Sequence, residues 1–125
     1  MSIKHMYIPA LAATILLIAA CRPDAAVPAE STATTEEASV YPDYRDITLP
    51  PNIAPLNLRV DDPQADASVA EVAGRGRRAV AAARADEPLR FDSLEWRRLL
   101  ESSRGSDLTV TLYTRRKGKW LRHPA

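Results

Sequence analysis

One cysteine, two histidines and four glycines in 125 residues leave this chain little material for a covalent staple or a metal centre. A lone Cys21 cannot close a disulfide within the chain, and no cysteine-based metal site can form around it. His5 and His123 stand at opposite ends, so the paired spacing of a zinc centre is missing too. There is no G-x-S-x-G, no P-loop and no dinucleotide fingerprint. The reading is therefore of a non-enzymatic chain with no catalytic residues, no cofactor and no metal. Aromatics are few: Tyr7, Tyr41, Tyr44, Phe91, Trp96, Tyr113 and Trp120 are all a core could draw on. Neither charge sign prevails, with 17 basic and 16 acidic side chains, which argues against nucleic acid as a partner. The distribution is uneven: acids outnumber bases from Arg22 to Asp46, and arginine dominates from Arg75 onward.

Long apolar runs are scarce as well. The only one extends from Ile8 to Ala20, interrupted by Pro9 and Thr14 and preceded by Lys4 and His5. It is shorter than the roughly 20 residues that span a bilayer. A basic start, an apolar stretch and small residues make the layout of a secretory signal. The stretch ends Leu17-Ile18-Ala19-Ala20-Cys21, which resembles the bacterial lipobox. Residues 1–20 are thus expected to be removed by cleavage between Ala20 and Cys21. Cys21 then carries palmitate-type acyl chains, and two or three of them anchor a chain stably where one does not. The alternative is an ordinary signal peptide in which the cysteine falls at that place by chance. Arg22 follows the cysteine, and by analogy with enteric sorting the absence of aspartate there favours the outer membrane, with the periplasmic or surface side left open.

Residues 21–40 contain RPDAAVPAESTATTEEASV, with no apolar period and no aromatic. Such a segment cannot offset its ordering entropy by burial, and it reads as a disordered tether.

Residues 41–125 hold what can fold. Pro42, Pro50, Pro51 and Pro55 hold the first part extended, and Ile47, Leu49, Ile53 and Leu56 are expected to pack on a neighbouring surface. Leu56–Val60 alternates as a half-buried strand. Asp61 to Asp66 reads as a solvated turn; calcium is the weaker reading of its three aspartates. Ser68–Ala73 and Arg78–Ala83 are expected as two strands joined at Gly74-Arg-Gly76, although alanine by itself prefers helix. Leu89 and Phe91 suggest a brief extended piece. Asp92 to Ser103 predicts a helix, with Asp92 and Glu95 as a capping box and Trp96, Leu99 and Leu100 on one face. Leu108 to Tyr113 predicts a strand and Gly118 a tight turn. The partner strand at Trp120-Leu121 stops early, which leaves a short arm and an open sheet edge. His123 is expected to be solvated and Trp120 to be a core anchor. Arg75, Arg77, Arg78, Arg97, Arg98, Arg115 and Arg116 read as a scattered solvated surface, with anionic lipid or polysaccharide as the alternative.

The run YPDYRDITLPPNIAPLNLRV, the W-x-x-L-L helix, G-x-x-L-x-V and the K-x-G-K-W hairpin resemble the N-terminal region of TolB-like β-propeller lipoproteins of the Bacteroidetes type. The likeness covers Tyr41 to about His123. It implies a lipid-anchored envelope protein in which a small β-rich module precedes propeller repeats. A blade needs four strands, roughly 40–45 residues, and several blades to close. None is present here, so the resemblance implies a chain truncated before its propeller. The fold expected is mainly β with one short helix, a small β-sandwich-like (Ig-like) module that is incomplete on this reading. Its expected role is an interaction module held at the membrane by lipid. The alternative is a complete small lipoprotein that binds an envelope protein or polysaccharide by itself.

Overall fold

The computed structural model describes residues 25–125, so the signal segment, Ala20 and Cys21 lie outside the described residues. The elements in chain order are β1 (Thr32–Ala33), β2 (Val40–Tyr41), β3 (Asn57–Val60), β4 (Ala67–Ala73), β5 (Arg78–Arg84), β6 (Leu89–Arg90), α1 (Ser93–Ser102), β7 (Thr109–Arg116) and β8 (Lys119–Arg122). A five-stranded sheet has the order β1-β8-β7-β4-β5, antiparallel except for the parallel β1–β8 pair. A smaller antiparallel sheet has the order β2-β3-β6. The molecule is mainly β with one short helix and two sheets, a small β-sandwich-like module.

Period-2 alternation builds the core. On β3, Leu58 is buried while Asn57 and Arg59 face solvent, and Leu58 lies opposite Leu89 of β6. On the larger sheet Ala70 pairs with Ala81 and Leu112, and Val72 with Ala79 and Val110. These inner-face residues form one cluster with Leu56, Leu58, Leu89, Phe91, Trp96, Leu99 and Leu100. The expected hairpin around the two close glycines is formed, and its alanines have a packing role. Ala79, Ala81 and Ala83 on the inner face of β5 let α1 lie close to the strand, with Trp96 (1% exposed) filling the space. Tertiary packing thus overrides the helix preference of alanine.

The helix begins as expected, with the Asp92 carboxylate accepting the Glu95 N–H at 3.0 Å. The capping box is only half made. The Glu95 side chain turns to β5 and accepts the Val80 N–H at 2.9 Å. As an edge strand, β5 carries amides that no strand takes up, and a buried or half-buried donor needs an acceptor. Turn chemistry is also as expected between β7 and β8: Lys117 and Gly118 have φ of 52° and 77°, the positive pair of a two-residue hairpin loop.

Three expectations are corrected. The segment read as tether is docked over its second half: Thr32 and Ala33 pair with Leu121 and Arg122, the Thr34 N–H donates to Arg122 O at 3.0 Å, and Ala38 and Val40 pack on the core. The same contact covers the β8 edge that was expected to lie open. Unsatisfied strand amides and carbonyls attract whatever backbone is within reach, and here the chain's own upstream segment supplies it. The third concerns the proline-rich lead-in. Tyr44, Leu49 and Ile53 pack against the core and Leu56 is inside it, but Ile47 stays 47% exposed. The lead-in is pinned by the Trp96 indole, whose Nε1–H donates to Ile53 O at 3.2 Å.

Candidate functional site

Three short strands cannot cover a five-stranded sheet. β2, β3 and β6 have two, four and two residues, so part of the inner face of the larger sheet is left to the proline-rich lead-in. Against the expectation of an extended segment, that lead-in turns at Arg45–Asp46, where Asp46 has φ of 55°, and again at Pro50–Ile53, where the Ile53 N–H donates to Pro50 O at 3.2 Å. Its prolines have no N–H to give the small sheet. An open groove of about 1240 Å³ results between the lead-in on one side and the end of α1 with the start of β7 on the other. Its floor is made by Leu56, Leu58, Val72, Trp96, Leu100 and Leu112. Its walls include half-buried Val40, Leu49, Leu108 and Val110 and exposed Ile47. Glu37, Asp43, Arg45, Asp46, Arg104 and Asp107 also line it and supply the charge.

Charge on one side of the groove is locked. The Arg45 guanidinium takes both oxygens of Asp43, at 2.9 and 2.8 Å, and its third nitrogen reaches Glu37 at 3.0 Å. The side-chain hydrogen bonds from Arg45, joined by its backbone N–H, hold the Asp43 carboxyl down at about 2. Asp43 is therefore a fixed anion at any physiological pH. Arg45 is pushed above its ordinary value by the same pairing. These groups face solvent, where such pairs contribute little to stability. Their effect is on shape, because they fix the bend of the lead-in beside the groove.

A second, smaller cavity of about 370 Å³ lies near the β7–β8 turn and is polar. Arg116 donates to Asp62 at 2.9 Å and to Glu36 at 3.1 Å. Hydrogen bonding to Arg116 is the main reason that Glu36 sits below its ordinary range, and Arg116 is raised in return. Beside them His123 is 3% exposed, with Nε2 2.8 Å from Thr114 Oγ1 and Nδ1 2.9 Å from the Glu36 carbonyl. A carbonyl only accepts, so Nδ1 carries a proton toward Glu36 O, and Nε2 completes the chain with the Thr114 hydroxyl. The hydroxyl–imidazole–carbonyl chain has the outline of a nucleophile, a base and an orienting group. Thr114 is only 1% exposed, however, and both ring nitrogens are taken up by the fold's own atoms. The chain of hydrogen bonds fastens two segments together; it has no free position for a reacting group.

His123 is thus another correction: it is buried and bonded, not solvated. Strand parity was the available signal, since Leu121 and His123 continue the β8 alternation toward Thr114 and Leu112, and the His123 N–H does donate to Leu112 O. Trp120 is corrected in the opposite sense. It is half-buried on the other face of the sheet, outside the core cluster, with the Arg115 guanidinium 5.6 Å from its ring centroid. Trp96 is the core anchor it was read to be. Of the acidic turn, Asp62 is engaged by Arg116 and Asp66 by Arg115, and Asp61 is exposed. Among the described residues no group of three acidic, histidine or cysteine side chains is arranged to hold a metal. The arginines are dispersed: Arg78 pairs with Glu71, Arg115 with Asp66 and Arg116 with Glu36 and Asp62, while Arg75, Arg77, Arg97 and Arg98 are exposed in the β4–β5 turn and along α1. Among the described residues no helix is long and apolar enough to cross a membrane.

Comparison with protein-family models, with curated proteins and with solved structures finds no match to this chain.

Proposed function

We propose that this chain is a non-enzymatic interaction module of the bacterial cell envelope, tethered to the outer membrane by lipid on Cys21, and that it binds an extended segment of an envelope protein in the open groove. The observation that carries the binding half is the groove itself. The anchoring half is supported by Leu17-Ile18-Ala19-Ala20-Cys21 and the apolar run before it.

A protein segment suits the groove better than a polysaccharide. Sugars are held by polar groups and by exposed aromatic faces. Here the floor is aliphatic apart from the Trp96 indole, which is 1% exposed with its N–H already given to Ile53, and the walls offer only the half-buried Tyr44 as an aromatic. Aliphatic walls with a charged rim match a segment whose apolar side chains insert while its backbone stays near the rim.

A photo-crosslinking residue at position 47, in the groove wall, should yield one discrete protein adduct in intact cells. The same residue at position 94 is the control, because Leu94 is 49% exposed on α1 and does not line the groove. A polysaccharide or lipid adduct from position 47, or the same adduct from both positions, refutes the binding half. Cys21→Ser tests the tether: the variant should leave the membrane fraction, and retention equal to the parent refutes it.

The TolB-like likeness stays with this proposal as its family reading, supported by the Tyr41–Leu58 run and the Phe91–Trp120 pattern. Propeller-like reading frame in the DNA downstream tests it. The second reading, a module that binds its partner without a propeller, is favoured by β1 lying on the β8 edge.

A further inference from the structure

The stretch from Thr32 to Glu37 is held in an unusual manner. Its only non-polar residue, Ala33, is exposed, and none of its side chains joins the core cluster. Apolar burial begins at Ala38. The hydrophobic term that holds β4 and β7 is therefore absent from this stretch. What holds it is the two-residue pairing of β1 with β8, the Thr34 N–H to Arg122 O, the Arg116–Glu36 pair, the His123 Nδ1–H to Glu36 O and the solvent-facing Arg45–Glu37 pair. The receiving surface is different in kind. Arg116 stays bonded to Asp62 whether or not Glu36 is present, and Thr114 and His123 remain paired with each other. Removing the stretch takes nothing from the core cluster and leaves Arg116, Thr114 and Arg45 each with a remaining partner, while the His123 Nδ1–H and the Arg122 carbonyl are left to water.

We propose that Thr32–Glu37 is a strap that unlatches from the β8 edge as a unit while the rest of the module stays folded, and that its latched state shortens the span available between Cys21 and the module. The second half rests on the lipid-anchor reading of Cys21. Release adds six residues of free chain, or about 20 Å of maximum reach. A partner held away from the membrane then meets the groove only when the strap is open, and one close to the membrane meets it in either state.

Amide hydrogen exchange on the full chain tests the first half. The Thr34 amide should exchange faster than the Ala70 amide of the central strand β4 by a factor on the order of 100 or more. Arg116→Met, which removes the partner of the Glu36 carboxylate and leaves the Glu36 carbonyl on His123, should speed Thr34 exchange several-fold and leave Ala70 unchanged. Equal rates at the two amides overturn the proposal, as does an Arg116→Met effect that raises both in step. Glu36→Gln, which keeps a side-chain oxygen for Arg116 to bond, should give a smaller rise than Arg116→Met. A larger one overturns the latch as described.

The second half is read from a fluorophore on Arg97→Cys, exposed on α1, against an acceptor in the headgroups of the bilayer carrying the protein. The mean distance should increase in the Arg116→Met background; an unchanged distance with an opened strap overturns it. Retention of Cys21→Ser on the membrane would refute the anchor reading and leave the exchange result standing.

Discussion

An alanine at position 74 would set its Cβ on the Ser103 hydroxyl oxygen, 3.0 Å from Ser103 Cβ and 2.9 Å from Leu108 Cδ2. Gly74 is not in the left-handed region, so its backbone would accept alanine. The lower entropy of the unfolded chain would then favour the change by about 0.4–1 kcal/mol. Packing opposes it. Ser103 is buried at the end of α1, its N–H bonded to Leu99 and Leu100 carbonyls, so it cannot step aside freely. Overpacking of this kind costs about 1–3 kcal/mol. The Ser103 hydroxyl also accepts the Arg75 N–H at 3.1 Å, and pushing it away forfeits about 1 kcal/mol more. Gly74→Ala should therefore be less stable than the parent by about 1–3 kcal/mol. Urea titration followed by tryptophan fluorescence reads this, since Trp96 is in the core. Ser103→Ala removes the oxygen in the way, so the double variant should lose less than the two single losses added, by at least about 0.5 kcal/mol. Ser103 and Leu108 also line the groove, so the same change distorts the proposed binding surface at one end. A Gly74→Ala variant as stable as the parent, or strict additivity with Ser103→Ala, would refute the close-approach argument.

Other outcomes follow from the same geometry. Trp96→Phe keeps a ring in the core but drops the bond to Ile53 O, so it should cost roughly 1–3 kcal/mol and make the proline-rich lead-in a preferred cleavage site in limited proteolysis. Glu95→Ala leaves the Val80 N–H of the β5 edge without its acceptor and should lose about 1 kcal/mol in urea unfolding, whereas Glu95→Gln retains an acceptor oxygen and should stay near the parent. Acidification should loosen the strap. Glu36 is held below its ordinary 4.5 by Arg116, so its contribution is complete above that value and is lost as pH falls through the lower folded-state value. Thr34 amide protection, corrected for intrinsic exchange, should therefore drop below about pH 4.5 before that of Ala70 does, and a simultaneous loss would count against a separate latch.

What the sequence determined by itself was local. Alternation fixed the faces of β3 and β7. Asp92 and the spacing of Trp96, Leu99 and Leu100 fixed the helix and its buried side, and Gly118 fixed the hairpin turn. Each depends on residues a few positions apart, where backbone geometry leaves few choices. Only the tertiary structure decided the rest. The polar stretch around Thr32–Glu37 carries no periodic apolar signal, and it docks because the β8 edge, Arg116 and His123, some 80 residues away in sequence, offer it partners. The groove is invisible in the sequence for a similar reason. It arises from a mismatch between a five-stranded and a three-stranded sheet, and strand count and pairing become facts only when distant segments meet.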